Sequence, residues 1–256
     1  MIDKSDLSEG CSFGNAGMIV PSHFVPLATP GIITKGIRWM FNPKSPFYIK
    51  PRLSLELGQW LWQFYRSCDK GKVEKAIPVL RDLSLLSKKL YQDLAENTSL
   101  NFSYKEEGLM MLFKNPKTQK EEIETAEKAN SIGIEAHILS AGQVAKYETG
   151  TQTDVIGGVF YPGDAHLHPN QLMQQMIKYL RERGVMFRGG TTVKGFDDHN
   201  GKITAVLVSG KEKIPVEHLI IAGGSWTPQL LKMIGVKMLL QDGKGYSITL
   251  KKETER

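Results

Sequence analysis

The stretch EHLIIAGGSWTPQLL, residues 217–231, decides how the rest of the chain is read. Four consecutive apolar residues, Leu219, Ile220, Ile221 and Ala222, predict a strand covered on both faces. Gly223-Gly224 follow, then a helix through Leu230 and Leu231, with Ser225 as N-cap, Thr227-Pro228 in the first turn and Gly235 at the stop. Two glycines at the C-terminal end of such a strand remove two Cβ atoms where open α/β sheets bind ligands. A helix N-terminus just beyond them attracts phosphate. The stretch is thus either a backbone that approaches a pyrophosphate-bearing cofactor or an ordinary strand–turn–helix corner.

Composition narrows the field around it. At 256 residues, 41% hydrophobic and 23% charged, the chain is globular in character and long enough for one large domain or two smaller ones. No run approaches the roughly 20 apolar residues of a membrane span, and no export-signal pattern opens the chain. The net charge of +6 favours anionic partners, but 33 basic residues are interleaved with 27 acidic ones and form no block. A nucleic-acid partner is therefore not expected. Cys11 and Cys68 stand far apart with no CxxC pair, which suits a reducing compartment and offers no disulfide or zinc framework.

Taken in order, the chain opens with Met1-Ile2-Asp3-Lys4 and then a loop of small and polar residues, 7–19, which includes Gly10, Cys11, Ser12, Gly14, Asn15, Ala16 and Gly17. Such a loop can point many free backbone N–H groups at a ligand, or simply lie on the surface. Residues 20–51 are proline-rich and irregular, broken by a short helix around 35–40. Helices are predicted at 55–67, with Leu57, Trp60, Leu61, Phe64 and Tyr65 at helical spacing, and at 78–97, with Val79, Leu83, Leu86, Leu90 and Leu94. Core packing is the common reason for such stripes; the aromatics of the first could instead dock on a membrane surface.

Residues 109–113 and 157–161 read as strands, and Thr118–Glu121 and Ser140–Gln143 as capping boxes that open helices. Residues 169–183 read as a helix with proline at its start and Gly184 at its stop. Strands are predicted at 185–188 and 191–196. Asn200-Gly201 turns a hairpin between 195–198 and 203–208, residues 213–216 form a further strand, and another begins at 243. GxGxxG, Walker A, GxSxG and HExxH patterns are all absent, so either the chain binds no dinucleotide or the fingerprint lies upstream. Asp164, His166 and His168 could suggest metal ligation, but Pro169 follows at once and a polar loop capping the next helix explains them more simply. Asp3 fits the acid that ends the second strand of a Rossmann unit and holds a ribose hydroxyl.

Four ordered segments together resemble the D-amino-acid-oxidase superfamily of FAD enzymes: Ile2-Asp3-Lys4; CSFGNAGMI (11–19); GVFYPGDAHLHPNQL…RGVMFRGGTTVKGF (158–196); and LIIAGGSWTPQLLKMIG…GKGYSITL (219–250). SFGNAGMIVP with residues 30–52 is most similar to the bacterial D-amino acid dehydrogenase branch; glycine and sarcosine oxidases are wider relatives. The resemblance implies that Asp3 holds the adenosine ribose of FAD with Lys4 beside it. It implies that Cys11 and Ser12 line the pyrophosphate and ribityl path, and that Ala16, Gly17 and Met18 pass their backbone beside the flavin. Val193 would meet the adenine through its main chain, and Ala222 and Gly223 would close on the pyrophosphate region. Phe13 and Asn15 stand where relatives carry other small residues.

The expected architecture is α/β, a two-lobed FAD-dependent oxidoreductase fold that is incomplete at both ends. The family's first strand and Gly-rich turn belong before Met1, and the part that carries the substrate-clamping arginine belongs after residue 250. This is the expectation for a truncated product or engineered fragment. An FAD lobe over 1–97 and 160–236 and a substrate lobe over 98–159 and 237–256 are expected. The implied reaction is hydride transfer from the Cα of a D-amino acid or related amine to flavin N5, with a quinone or other acceptor taking the electrons. A glycine- or sarcosine-type oxidase is the second reading, and an inactive remnant serving as an interaction module the third. A cytoplasmic location, peripheral contact with the inner membrane, and self-association through an unpaired sheet edge complete the expectations.

Overall fold

The computed structural model describes residues 1–8, 10–40, 54–147, 153–243 and 245–246. In chain order its elements are β1 (Met18–Ile19), α1 (Ile32–Met40), α2 (Leu55–Ser67), α3 (Lys70–Asn97), β2 (Leu109–Phe113), α4 (Pro116–Ser131), β3 (His137–Ser140) and α5 (Ala141–Tyr147). They continue with β4 (Gly157–Tyr161), β5 (Ala165–His166), α6 (Pro169–Glu182), β6 (Val193–His199), β7 (Lys202–Val208), β8 (Lys213–Pro215) and α7 (Thr227–Lys232). The mixed helix-and-sheet architecture is the α/β class expected. The chain forms two units, one of Met1–Gly14, Ile33–Ser67 and Ile177–Arg256, the other of Asn15–Ile32 and Cys68–Met176.

In the second unit β4 lies between β2 and β3, antiparallel to both. Met111 and Phe113 on β2, and Val159 and Tyr161 on β4, are spaced by two and so share one sheet face. Ala126 and Ala129 of α4 join that core with Phe24, Ile77, Ile134 and Ala136. Each large apolar side chain buried here contributes about 1.5–3 kcal/mol. At α5 the predicted capping box is formed reciprocally: the Ser140 N–H donates to Gln143 Oε1 (2.9 Å), and the Gln143 N–H donates to Ser140 Oγ (3.4 Å). At α4 the cap is Asn115 instead, whose Oδ1 accepts from the Thr118 N–H at 3.0 Å, and Thr118 lies inside the helix. Pro116 can open the first turn without losing a hydrogen bond, which moves the start three residues upstream.

α3 also starts earlier than residue 78. Asp69 caps it by accepting from the Lys72 N–H at 3.0 Å, and Pro78 sits inside the helix. The stripes on α2 and α3 do not form the core that was expected of them. Of their members Leu57 is buried and Trp60, Phe64 and Leu94 are half-buried, but Leu61, Tyr65, Val79, Leu83, Leu86 and Leu90 are exposed. Helical spacing identifies a face without saying what it meets.

In the first unit β6, β7 and β8 form an antiparallel sheet, with Asn200 and Gly201 both at positive φ in the predicted hairpin turn. Residues 219–222 form no ladder among the described residues, and Ile220 is 90% exposed. An apolar run becomes a strand only beside a partner that takes its N–H and C=O groups. Ser225 does not cap the following helix: residues 224–226 form a 3-10 turn and Trp226 holds the N-cap position of α7. The stop is as predicted, with Gly235 at φ +74° and the Val236 N–H bonded to Leu231 O at 3.0 Å. Residues 185–188 give only an isolated parallel bridge, Ile2 to Arg188, because Gly189 and Gly190 interrupt the run. Residues 243, 245 and 246 lie in no strand; the rest of the strand expected from 243 lies outside the described residues.

β1 and β5 pair antiparallel, Met18 with His166 and Ile19 with Ala165. Gly17 precedes this pair at φ +69°, and its carbonyl accepts from the Leu167 N–H at 2.8 Å. A Cβ there would stand 2.1 Å from Leu167 O. Gly17→Ala is therefore expected to destabilise the protein by at least about 2 kcal/mol, from left-handed strain and a backbone clash together. Thermal or denaturant unfolding of the variant checks this, and an unchanged midpoint would contradict it.

Candidate functional site

In the first unit the candidate residues rest on two consecutive Asp-x-Ser turns. Asp3 Oδ1 accepts from both the N–H and the hydroxyl of Ser5, each at 2.8 Å, and Asp6 Oδ1 accepts from the Ser8 N–H at 2.9 Å. Short acidic side chains bond their own backbone two residues on, which is why this sequence turns here. The Ser8 bonds hold the Asp6 carboxyl below its ordinary range. Asp3 thereby keeps its second oxygen, Oδ2, without a hydrogen bond among the described residues.

The backbone around Asp3 is stitched to residues 188–191. The Asp3 N–H donates to Arg188 O (3.0 Å), the Thr191 N–H to Asp3 O (2.9 Å), the Gly190 N–H to Ser5 O (2.7 Å) and the Arg188 N–H to Met1 O (2.9 Å). Lys4 then lays its ammonium over the Trp226 ring, 3.7 Å from the centroid. Such a contact is worth about 0.5–1 kcal/mol at an exposed site. Asp3 and Lys4 are thus brought together with the 188–191 crossing and the turn after Ala222 and Gly223. Val193 opens β6 two residues beyond Thr191, opposite Val208 and next to a register shift.

A Cβ on Gly223 would come 3.1 Å from Leu230 Cδ1 and 3.4 Å from the Thr227 N, so this glycine lets α7 fold back on the turn. α7 is only six residues long, so few peptide dipoles add at its start and the phosphate attraction expected there is small. Cys11 is exposed, and the loop of 10–14 spends the N–H groups of Phe13 and Gly14 on its own turns, bonding Gly10 O and Cys11 O. Those two N–H groups are therefore not offered to a ligand, and the exposed Cys11 agrees with the surface reading of this loop. Cys11 and Ser12 belong to the first unit, Ala16, Gly17 and Met18 to the second. There the Gly17 N–H donates to Asn15 Oδ1 at 2.7 Å, and Met18 enters β1 with its side chain exposed.

The Asp164–His168 segment has structural work in the second unit. Asp164, 1% exposed, accepts from the Ser22 N–H (3.1 Å) and the Ser22 hydroxyl (2.5 Å). His168 opens α6: its carbonyl accepts from the Leu172 N–H at 3.0 Å and its Nδ1 lies 3.4 Å from the Gln171 N. This is the capping role weighed above. Sequence reasoning missed Ser5, Arg188, Gly190 and Trp226; the doubled Asp-x-Ser pattern was a readable sign of the first, whereas the Lys4–Trp226 contact spans too much chain to be read locally.

Burial pushes the Asp164 carboxyl up and the Ser22 bonds oppose it; burial also pushes the Tyr161 hydroxyl up to about 12. A carboxyl raised in the folded state binds its proton more tightly there than in the unfolded chain. Its effect is therefore to lower stability as pH rises from the ordinary aspartate range through the raised value. Asp164→Asn is expected to flatten that segment of a stability–pH profile measured by urea unfolding, and an unaltered slope would contradict the assignment.

Comparisons with known proteins bear on the chain as a whole. A family model described as DAO, FAD dependent oxidoreductase, matches residues 1–256. A D-amino acid dehydrogenase of Helicobacter pylori is 30% identical over 255 residues, covering 100% of this chain and 60% of that protein. One of Granulibacter bethesdensis is 30% identical over 242 residues, covering 93% and 58%. The chain thus spans about 60% of the length of these curated relatives. Among solved structures, glycine oxidase of Geobacillus kaustophilus matches with TM-score 0.65 at 16% identity, over 92% of this chain and 51% of that one. Glycine oxidase of Bacillus cereus matches with TM-score 0.55 at 25% identity, over 60% and 43%.

Proposed function

Because the chain belongs to the DAO family of FAD-dependent oxidoreductases, we propose that it forms the FAD-holding part of a D-amino acid dehydrogenase-like enzyme. The observation that carries this reading is the unspent Oδ2 of Asp3, fixed by the Ser5 bonds and by the crossing with 188–191. An ionised oxygen held in this way is a natural acceptor for a ribose hydroxyl. Lys4 flanks it, Val193 would meet the adenine through its main chain, and Ala222 and Gly223 would close on the pyrophosphate region. By the family resemblance Cys11 and Ser12 would line the pyrophosphate and ribityl path, and the backbone of Ala16, Gly17 and Met18 would run beside the flavin. By role, the FAD lobe would take in 1–97 and 160–236 and the substrate lobe 98–159 and 237–256, a division that cuts through the second unit, whose core joins Phe24 and Ile77 to Phe113 and Val159.

Bound FAD supplies a hydride acceptor for the Cα of a D-amino acid or related amine. The chain's own part is to bind and orient; an amine that arrives neutral needs no acid or base from the protein. Electrons leave to a quinone or another acceptor. The exposed Trp62 and Tyr65 on α2 suit contact with a membrane interface at the cytoplasmic side, although no helix among the described residues is long and apolar enough to cross a membrane. A glycine-oxidase-type reaction is the second reading, favoured by the 25% identity to the Bacillus cereus enzyme. Peroxide release on turnover would select it.

Asp3→Asn keeps an acceptor for the Ser5 turn and replaces the second oxygen by a donor. It is expected to weaken FAD binding by about tenfold or more, at unchanged thermal stability. Flavin fluorescence titration and the visible spectrum after desalting measure this. A wild-type chain that ignores FAD, or a variant that binds it equally well, would overturn the assignment.

A further inference from the structure

Helix α3 has one face that packs and one that does not. Ile77 is buried, Val73 packs on the core, Arg81 Nη1 donates to Ile132 O at 2.9 Å, and Lys88 pairs with Glu106 at 2.8 Å. On the other side Val79, Leu83, Leu86 and Leu90 are 52–58% exposed. Their spacing of four, three and four residues is that of a coiled-coil seam, and it begins just after Pro78, where the helix is uninterrupted.

We propose that this seam is a contact with a second copy of the chain, the two α3 helices running antiparallel. Charge fixes the partner and its direction. The positions that flank the seam at heptad spacing are Lys75, Asp82, Lys89 and Glu96, which alternate in sign and are exposed. Antiparallel pairing about the helix centre sets Asp82 near Lys89 of the second copy and Lys75 near its Glu96, with each pair made twice by symmetry. Val79 then meets Leu90, and Leu83 meets Leu86. Parallel pairing would instead set these charges against Leu80, Ser87 and Leu94, where no opposite charge stands. Both contacts of Asp82 with Arg81 use Oδ1, so Oδ2 remains available. Four apolar side chains per copy make a small interface, and the dimer is accordingly weak, with a Kd on the order of micromolar. This contact does not depend on the cofactor reading.

Sedimentation velocity of the purified chain from about 1 to about 200 μM should show reversible dimerisation that spans that Kd. Asp82→Lys makes two symmetry-related pairs repulsive and should weaken the dimer about tenfold. Asp82→Lys combined with Lys89→Glu should restore it to within about threefold. Leu83→Glu should remove it, with circular dichroism unchanged because the side chain is exposed. A monomer across the whole range, with or without binding to lipid vesicles, would overturn the proposal. So would a dimer that survives Leu83→Glu, or a double charge swap that fails to restore what the single one lost.

Discussion

Four backbone hydrogen bonds between residues 1–5 and 188–191 carry the candidate site of the first unit. Each is worth about 0.5–1.5 kcal/mol net, so none is strong alone. Their importance is geometric. They hold Asp3 in line with the segment that opens β6 and set Lys4 where its ammonium reaches the Trp226 ring. The Ser5 turn then fixes the carboxylate, using one oxygen and sparing the other. A side chain oriented in this way by bonds to the fixed backbone loses little freedom when a ligand arrives.

The second unit relies on a different constraint, close approach. Alanines on α4 let the helix sit against the face made by β2 and β4. Gly17 lets the chain pass Leu167 where any side chain would strike a carbonyl. Asp164 ties the loop at Ser22 to the turn before β5, although burial disfavours its charge. A buried carboxyl with two donors is tolerable, whereas the same carboxyl without them would be costly.

Much of this was legible in the residues, and the failures have a common cause. Elements with a local signature came out as read: the α5 capping box, the Asn200-Gly201 hairpin, the stop of α7 at Gly235 and the strands at 109–113 and 157–161. Starts moved upstream to a residue that caps, Asn115 for α4 and Asp69 for α3. What failed was anything that required a partner. The run 219–222 has the composition of a buried strand but no ladder among the described residues, and the stripes of α2 and α3 have the period of a core face without being one. Pattern specifies which side of an element is apolar; only the tertiary structure says whether that side is covered. For the site, Asp3 could be picked out by its chemistry, while Trp226 could not, because nothing local links residue 226 to residue 4.

The two units also differ in when they can form. Most of the second is drawn from the continuous segment Cys68–Met176, so its contacts are available once that segment has been made. The first cannot close until Arg188 to Thr191 can meet Asp3, about 185 residues later, a delay of roughly 10–40 s at ordinary rates of synthesis. Through that interval these four backbone hydrogen bonds cannot form, and the second unit is free to fold first. The order of assembly on the ribosome is therefore written into which segment bonds Asp3.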